Sequence, residues 1–203
     1  MDVITKLSLG AAAVALSVGI ATSASAATIT TELVTDTTPG EVFANPFADD
    51  TTGSVFENVT GSIDNVRRSP WEGTIFFADG LYTSVSGGSS ATYDFDILQT
   101  GLSFVWGSPD NHNDLELILQ GGGSTTTING AQVQPPDAEG ANLVTITGVT
   151  FDRLIFSSGQ NAFEFANLTT TPIPLPAPAL LLLTGMGALG GVAALRRRRE
   201  AKS

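Results

Sequence analysis

The densest polar chemistry in the chain is Trp106-Gly-Ser-Pro-Asp110-Asn-His112-Asn113-Asp114-Leu-Glu116. Asp110, Asn113, Asp114 and Glu116 offer the hard oxygens that Ca²⁺ prefers. Trp106 offers a flat apolar face on which a sugar ring can stack. The candidate ligand set for a sugar or a structural Ca²⁺ is therefore Trp106, Asp110, Asn113 and Asp114. The competing reading is a turn: Asn and Asp bond their own backbone, Gly and Pro set the angles, and Trp106 fills the core. The stretch is not an EF-hand loop, because His112 stands at position 3 and Leu115 replaces the glycine at position 6. His112 is the only histidine and there is no cysteine. Thiolate chemistry is therefore excluded, and a histidine-rich metal centre has no second histidine to use. No G-x-S-x-G is present. Acids are abundant enough for the carboxylate pair of a glycan-acting hydrolase, but abundance identifies no pair, so no catalytic residue is assigned. Thr125-Thr-Thr127 and Thr145-Ile-Thr147 bring an ice-binding face to mind but lack its regular repeat.

The elements that must position these residues read as β throughout. Short runs of β-branched and apolar residues alternate with polar ones and are punctuated by Gly, Asn, Asp, Ser and Pro. The pattern predicts strands at 28–34, 54–60, 74–77, 82–86, 91–97, 102–106, 115–119, 125–128, 131–133, 143–147, 153–157 and 162–168. Asn129-Gly130 predicts a type I′ hairpin turn between two of them. The segment Phe163-Glu-Phe165 reads as an edge or near-edge strand. Many short strands with frequent turns predict an all-β chain with a single β-sandwich or jelly-roll domain.

Charge narrows the partners. The chain has 203 residues and a net charge of −11. Of the 20 acids, all but Asp2 and Glu200 fall in residues 27–171, where the only bases are Arg67, Arg68 and Arg153. Such a surface repels nucleic acid and anionic membrane. With no disulfides available, the domain must be held by its core or by bound ions.

The two ends are of a different kind. Residues 7–21 are apolar, and Ala24-Ser25-Ala26 is an A-x-A-type site, predicting a signal peptide over 1–26 cut after Ala26. The ectodomain follows as 27–171 and a Pro-rich linker as 172–178, where alternating prolines predict an extended spacer. Residues 179–195 carry no charge and Thr184 as their one polar residue. As a helix they span roughly 25 Å, close to a hydrocarbon core of about 30 Å. Arg196, Arg197, Arg198 and Arg199 open a basic tail, 196–203, that stops transfer and stays in the cytoplasm. Gly185-x-Gly187-x-x-Gly190 matches a dinucleotide fingerprint by letters only, since no strand precedes it.

Ile173-Pro174-Leu175-Pro176-Ala177, then an apolar helix, then an arginine cluster, resembles the tripartite tail of PEP-CTERM proteins in its VPLPA variant, with Ile173 where the variant has Val. The resemblance implies an exported protein of a Gram-negative bacterium. It would be tethered in the inner membrane, processed by an exosortase near the Pro-rich motif, and passed to the cell surface or extracellular matrix. A second resemblance lies in Arg68-Ser69-Pro70, Trp106-Gly107-Ser108-x-Asp110-x-x-Asn113 and Asn161-Ala-Phe-Glu-Phe-Ala166-Asn-Leu168. These patches resemble a β-rich surface-domain family often carried on such tails, with Ala166 where the family has Asp. The two together imply a non-enzymatic structural or adhesive protein of the surface, biofilm or exopolysaccharide matrix. The alternative is a carbohydrate-binding module with a structural Ca²⁺.

Overall fold

The computed structural model describes residues 27–35, 42–133 and 140–173. The expected signal-peptide site at Ala24 and Ala26 lies outside the described residues. So do the motif residues Pro174, Leu175, Pro176 and Ala177, the apolar segment 179–195, and Arg196, Arg197, Arg198 and Arg199. Among the described residues no helix is long and apolar enough to cross a membrane.

Among the described residues nine strands follow one another: β1 (Thr28–Leu33), β2 (Asp50–Thr52), β3 (Val55–Val59), β4 (Tyr82–Val85), β5 (Ser89–Gly107), β6 (Asn113–Leu119), β7 (Ser124–Asn129), β8 (Asn142–Ser158) and β9 (Phe163–Pro172). They form one antiparallel sheet in the order β3-β4-β9-β5-β8-β6-β7, with β1 added to β8 and β2 to β5. The expected all-β class is what the described residues adopt.

Several expected strands merge. Those at 91–97 and 102–106 are one strand, β5, and those at 143–147 and 153–157 are one strand, β8. Each changes partners along its length. Residues 89–94 of β5 pair with residues 153–158 of β8 and carry β2 on the other side. Residues 101–106 of β5 pair with residues 142–147 of β8 and carry β9 on the other side. Between the halves the register slips around Asp94, Gln99 and Gly101. Extra residues of this kind bend a strand without ending it. Polar and glycine residues there look like a turn in the sequence.

Three local expectations fail. Residues 74–77 form turns, because the Thr74 hydroxyl and amide both donate to the Trp71 carbonyl, at 2.7 and 3.0 Å. Such side-chain competition unmakes a strand. Asn129-Gly130 is not a hairpin turn, and residues 131–133 are not a strand. Asn129 stays extended and caps a single 3₁₀ turn at Gly130–Gln132, accepting from the Ala131 amide while Gln132 accepts from its own. Finally, β9 is not an edge strand over its first half: β4 lies on one side of residues 163–165 and β5 on the other. Ala166 and residues 169–172 pair with β5 alone.

Alternation puts the apolar face inward. Residues 113–117 of β6 and 142–146 of β8 alternate buried with half-buried positions, as period-2 strands over a core must. Phe156 sits at the hub, stacked on Phe165 at 4.0 Å and edge-on to Tyr93, Phe104 and Phe163. Each such pair adds about 0.5–1.5 kcal/mol beyond area burial. The opposite face of β5 and β9 is covered too. Val105 and Ala166, one residue out of phase with Trp106 and Phe165, pack with Trp71 and Tyr82 in a second buried cluster. Ala166 fits because an acid there would sit unhydrated among apolar groups. Asn45 pins the preceding loop to β9, donating to the Phe165 carbonyl at 2.9 Å and accepting from the Leu168 amide at 3.0 Å.

Candidate functional site

Sheet topology decides which polar residues can meet. The β5–β6 connection leaves Gly107 and re-enters at Asn113, and the β8–β9 connection runs from Ser158 to Phe163. Asn113 pairs with Ser158, so both connections lie at one end of the sheet. Residues 60–81 close over that end, held by the Ile63–Arg67 bridge and by Trp71, whose indole donates to the Leu81 carbonyl at 3.1 Å. Between the three segments is a cleft of about 800 Å³. Its lining is mostly polar: Asp64 and Asn65 from the first segment, Ser108 and Asp110 from the second, Gln160 and Asn161 from the third. Asn65 and Ser108 hold left-handed backbone, φ 58° and 47°. Ser108 has no special licence for that region, and such residues gather at functional clefts.

The most unusual group in the lining is Glu164 of β9. It is 3% exposed. Its Oε1 accepts from the Arg68 amide at 2.8 Å. Burial pushes its pKa up to about 8, with the Asp110 charge adding to the rise and Arg68 opposing it. The carboxyl therefore carries its proton at neutral pH, and a neutral carboxylic acid can donate a hydrogen bond. Gly107 makes room for it: a Cβ there would lie 3.1 Å from the Glu164 Cβ and 3.0 Å from the Pro70 ring.

Two arginines flank the acid and differ. Arg68 pairs with Glu72 one helical-type turn on, and both are half exposed. Arg67 lays its guanidinium over the Phe56 ring, 5.2 Å from the centroid, a cation–π geometry. Its Nε is buried without a partner. Burial raises the Tyr82 phenol above the ordinary tyrosine range while the Arg67 charge and hydrogen bond pull it down. The phenol itself donates to the Gly61 carbonyl at 2.6 Å.

The residues expected from sequence are dispersed. Trp106 is fully buried and stacked on Phe163 at 4.4 Å, so it presents no face to a sugar. Trp71 is equally buried. Asn113 is spent inside, accepting from the Ser158 hydroxyl at 2.7 Å and donating to the Ala162 carbonyl at 3.3 Å. Asp114, its neighbour on a strand, must point to the other face. There it accepts from the Asn129 amide at 2.8 Å. Asp110 alone reaches the cleft, with His112 Nε2 3.6 Å from its Oδ2. Among the described residues no three His, Asp or Glu side chains group to hold a metal, so the expected Ca²⁺ set is not assembled. The turn reading of this stretch describes it better.

Sequence reasoning passed over Glu164, Arg67, Asn65, Gln160 and Asn161. The signal for Glu164 was present as a lone acid between buried aromatics in Phe163-Glu-Phe165. Ordinary alternation, which assumes one solvated face, gives such an acid no special weight. Arg68, Asp110, Asn161 and Glu164, one or more from each of the three resemblance patches, line this cleft. No family model, curated protein or solved structure matches the chain.

Proposed function

We propose that this is an exported surface or extracellular-matrix protein of a Gram-negative bacterium. In this reading an exosortase processes it through residues 172–203, and its role is structural or adhesive rather than catalytic. The observation that carries the reading is the junction at Ile173. Strand β9 pairs with β5 as far as Pro172 against Gln99, and the Ile173 amide still donates to the Leu98 carbonyl at 2.9 Å. A folded, sheet-paired segment that extends to Ile173, the first residue of the Ile173–Ala177 motif, supports a domain placed directly before that motif. The bent sheet is, in the same reading, a β-sandwich. One layer is β2, the first half of β5, the second half of β8, β6 and β7. The other is β3, β4, β9, the second half of β5, the first half of β8, and β1. Contacts such as Phe156 with Phe165 and Tyr93 with Phe165 support facing layers.

Intact mass of the protein from the native cell surface tests the reading. The expected species begins at Ala27 and ends within residues 172–178. A mass that retains Arg199 would leave a plain membrane anchor and remove the exosortase from the account.

A further inference from the structure

We propose that the cleft between residues 62–68, 108–110 and 160–164 binds an uncharged polysaccharide. The argument is from the chemistry of its walls. The lining of the cleft mixes donors and acceptors: the guanidinium groups of Arg67 and Arg68, the amides of Asn65 and Gln160, and the carboxylates of Asp64 and Asp110. A sugar hydroxyl both donates and accepts, and a sugar ring presents several of them, so a neutral glycan satisfies such a mixed wall. Glu164 forms part of the same wall, buried, with its Oε1 accepting from the Arg68 amide at 2.8 Å. Ile63, 46% exposed at the rim, supplies apolar surface for the C–H edge of a ring.

Other ligand classes fit less well. Phosphates, nucleic acid and uronate polymers find Arg67 and Arg68 in the lining, but Arg68 is paired with Glu72, and Asp64, Asp110 and the acid-rich surface beyond oppose them. An apolar ligand meets too little apolar wall. A cavity of about 800 Å³ is within the range of small-ligand pockets, roughly 300–1,000 Å³. With both tryptophans buried, recognition here runs through hydrogen bonds rather than aromatic stacking.

The inference deepens the surface-protein reading by naming its ligand and uses that reading only to favour a polymer. The test is affinity electrophoresis of the full chain, held in a detergent without a sugar headgroup, through gels containing dextran, mannan or soluble chitin oligosaccharides, with alginate as the anionic comparison. The expected result is retardation by at least one neutral glycan that persists at high salt. It should weaken roughly ten-fold or more in Asp110→Ala/Gln160→Ala, which removes two hydrogen-bonding side chains. Both residues are solvent-accessible, so the variant should keep its fold, as checked by tryptophan fluorescence. Retardation by no neutral glycan, by alginate alone, or equally in the double variant would overturn the proposal. A processed protein that binds no glycan would leave the surface reading standing. An unprocessed one that binds would do the reverse.

Discussion

Glu164→Gln isolates the cost of burying an acid in this sheet. Glu164 holds its proton to about pH 8 when folded, against an ordinary value of 4.5. Between those two values the folded state binds more protons than the unfolded state, so raising the pH through this window destabilises the fold. At roughly 1.4 kcal/mol per pH unit of difference, the loss relative to a permanently neutral side chain is about 1 kcal/mol at pH 5. It grows to about 3 at pH 7 and about 5 at pH 9, where both states are ionised. Gln keeps the acceptor that the Arg68 amide uses at 2.8 Å and carries no charge to desolvate. The variant should therefore match the parent to within about 1 kcal/mol at pH 5 and exceed it by several at pH 9. Urea unfolding followed by fluorescence reads this directly, since Trp71 and Trp106 are both fully buried. Subtracting variant from parent at each pH cancels the other titrating groups. A difference that stays flat from pH 5 to pH 9 would refute the claim that Glu164 is buried and protonated.

Trp106→Ala empties a fully enclosed site against Phe104 and Phe163 and should cost about 3–5 kcal/mol of stability; a loss below about 1 kcal/mol in the same unfolding assay would place the indole at the surface. Gly130→Ala would drive a Cβ to 2.2 Å from the Asp110 carbonyl oxygen. It should destabilise by about 1–3 kcal/mol and weaken glycan retardation by shifting Asp110, whereas a protein unchanged in both respects would show that the packing of this turn on Asp110 is loose.

What could be read from the sequence divides along a physical line. Period-2 alternation is a local property, so β1, β3, β4, β6 and β7 fall within a residue or two of the expected positions. Whether a chain interrupted by polar residues turns back or runs on depends on partners far away in sequence. Residues 98–101 separate two expected strands, yet β5 continues because residues 99–106 find β8 on one side and β9 on the other. The same holds for Asn129-Gly130. The pair favours a hairpin when the flanking strands can meet, but here the Asn129 amide is claimed by the Asn111 carbonyl and by Asp114, at 2.9 and 2.8 Å. A capped 3₁₀ turn results.

The candidate site was hidden for a related reason. The sequence draws the eye to where acids and amides are dense, but on a strand density spreads them over two faces. Asn113 and Asp114 illustrate it: one is consumed in the core and the other on the far face. The cleft is instead made of residues sparse in sequence and brought together by topology, from three segments up to about a hundred positions apart. Its central group was obscured by the assumption that a strand has one wet side. Glu164 lies within a run, residues 163–168, that is buried throughout, because the 60–81 loop with Trp71 covers the face an ordinary alternation would leave in water. A lone acid in an otherwise apolar strand is therefore informative only when something else says that both faces are covered. Here that sign is a pair of large aromatics, Trp71 in the loop before β4 and Tyr82 at the start of β4. They needed a second apolar surface to bury against, and Val105 and Ala166 provide it.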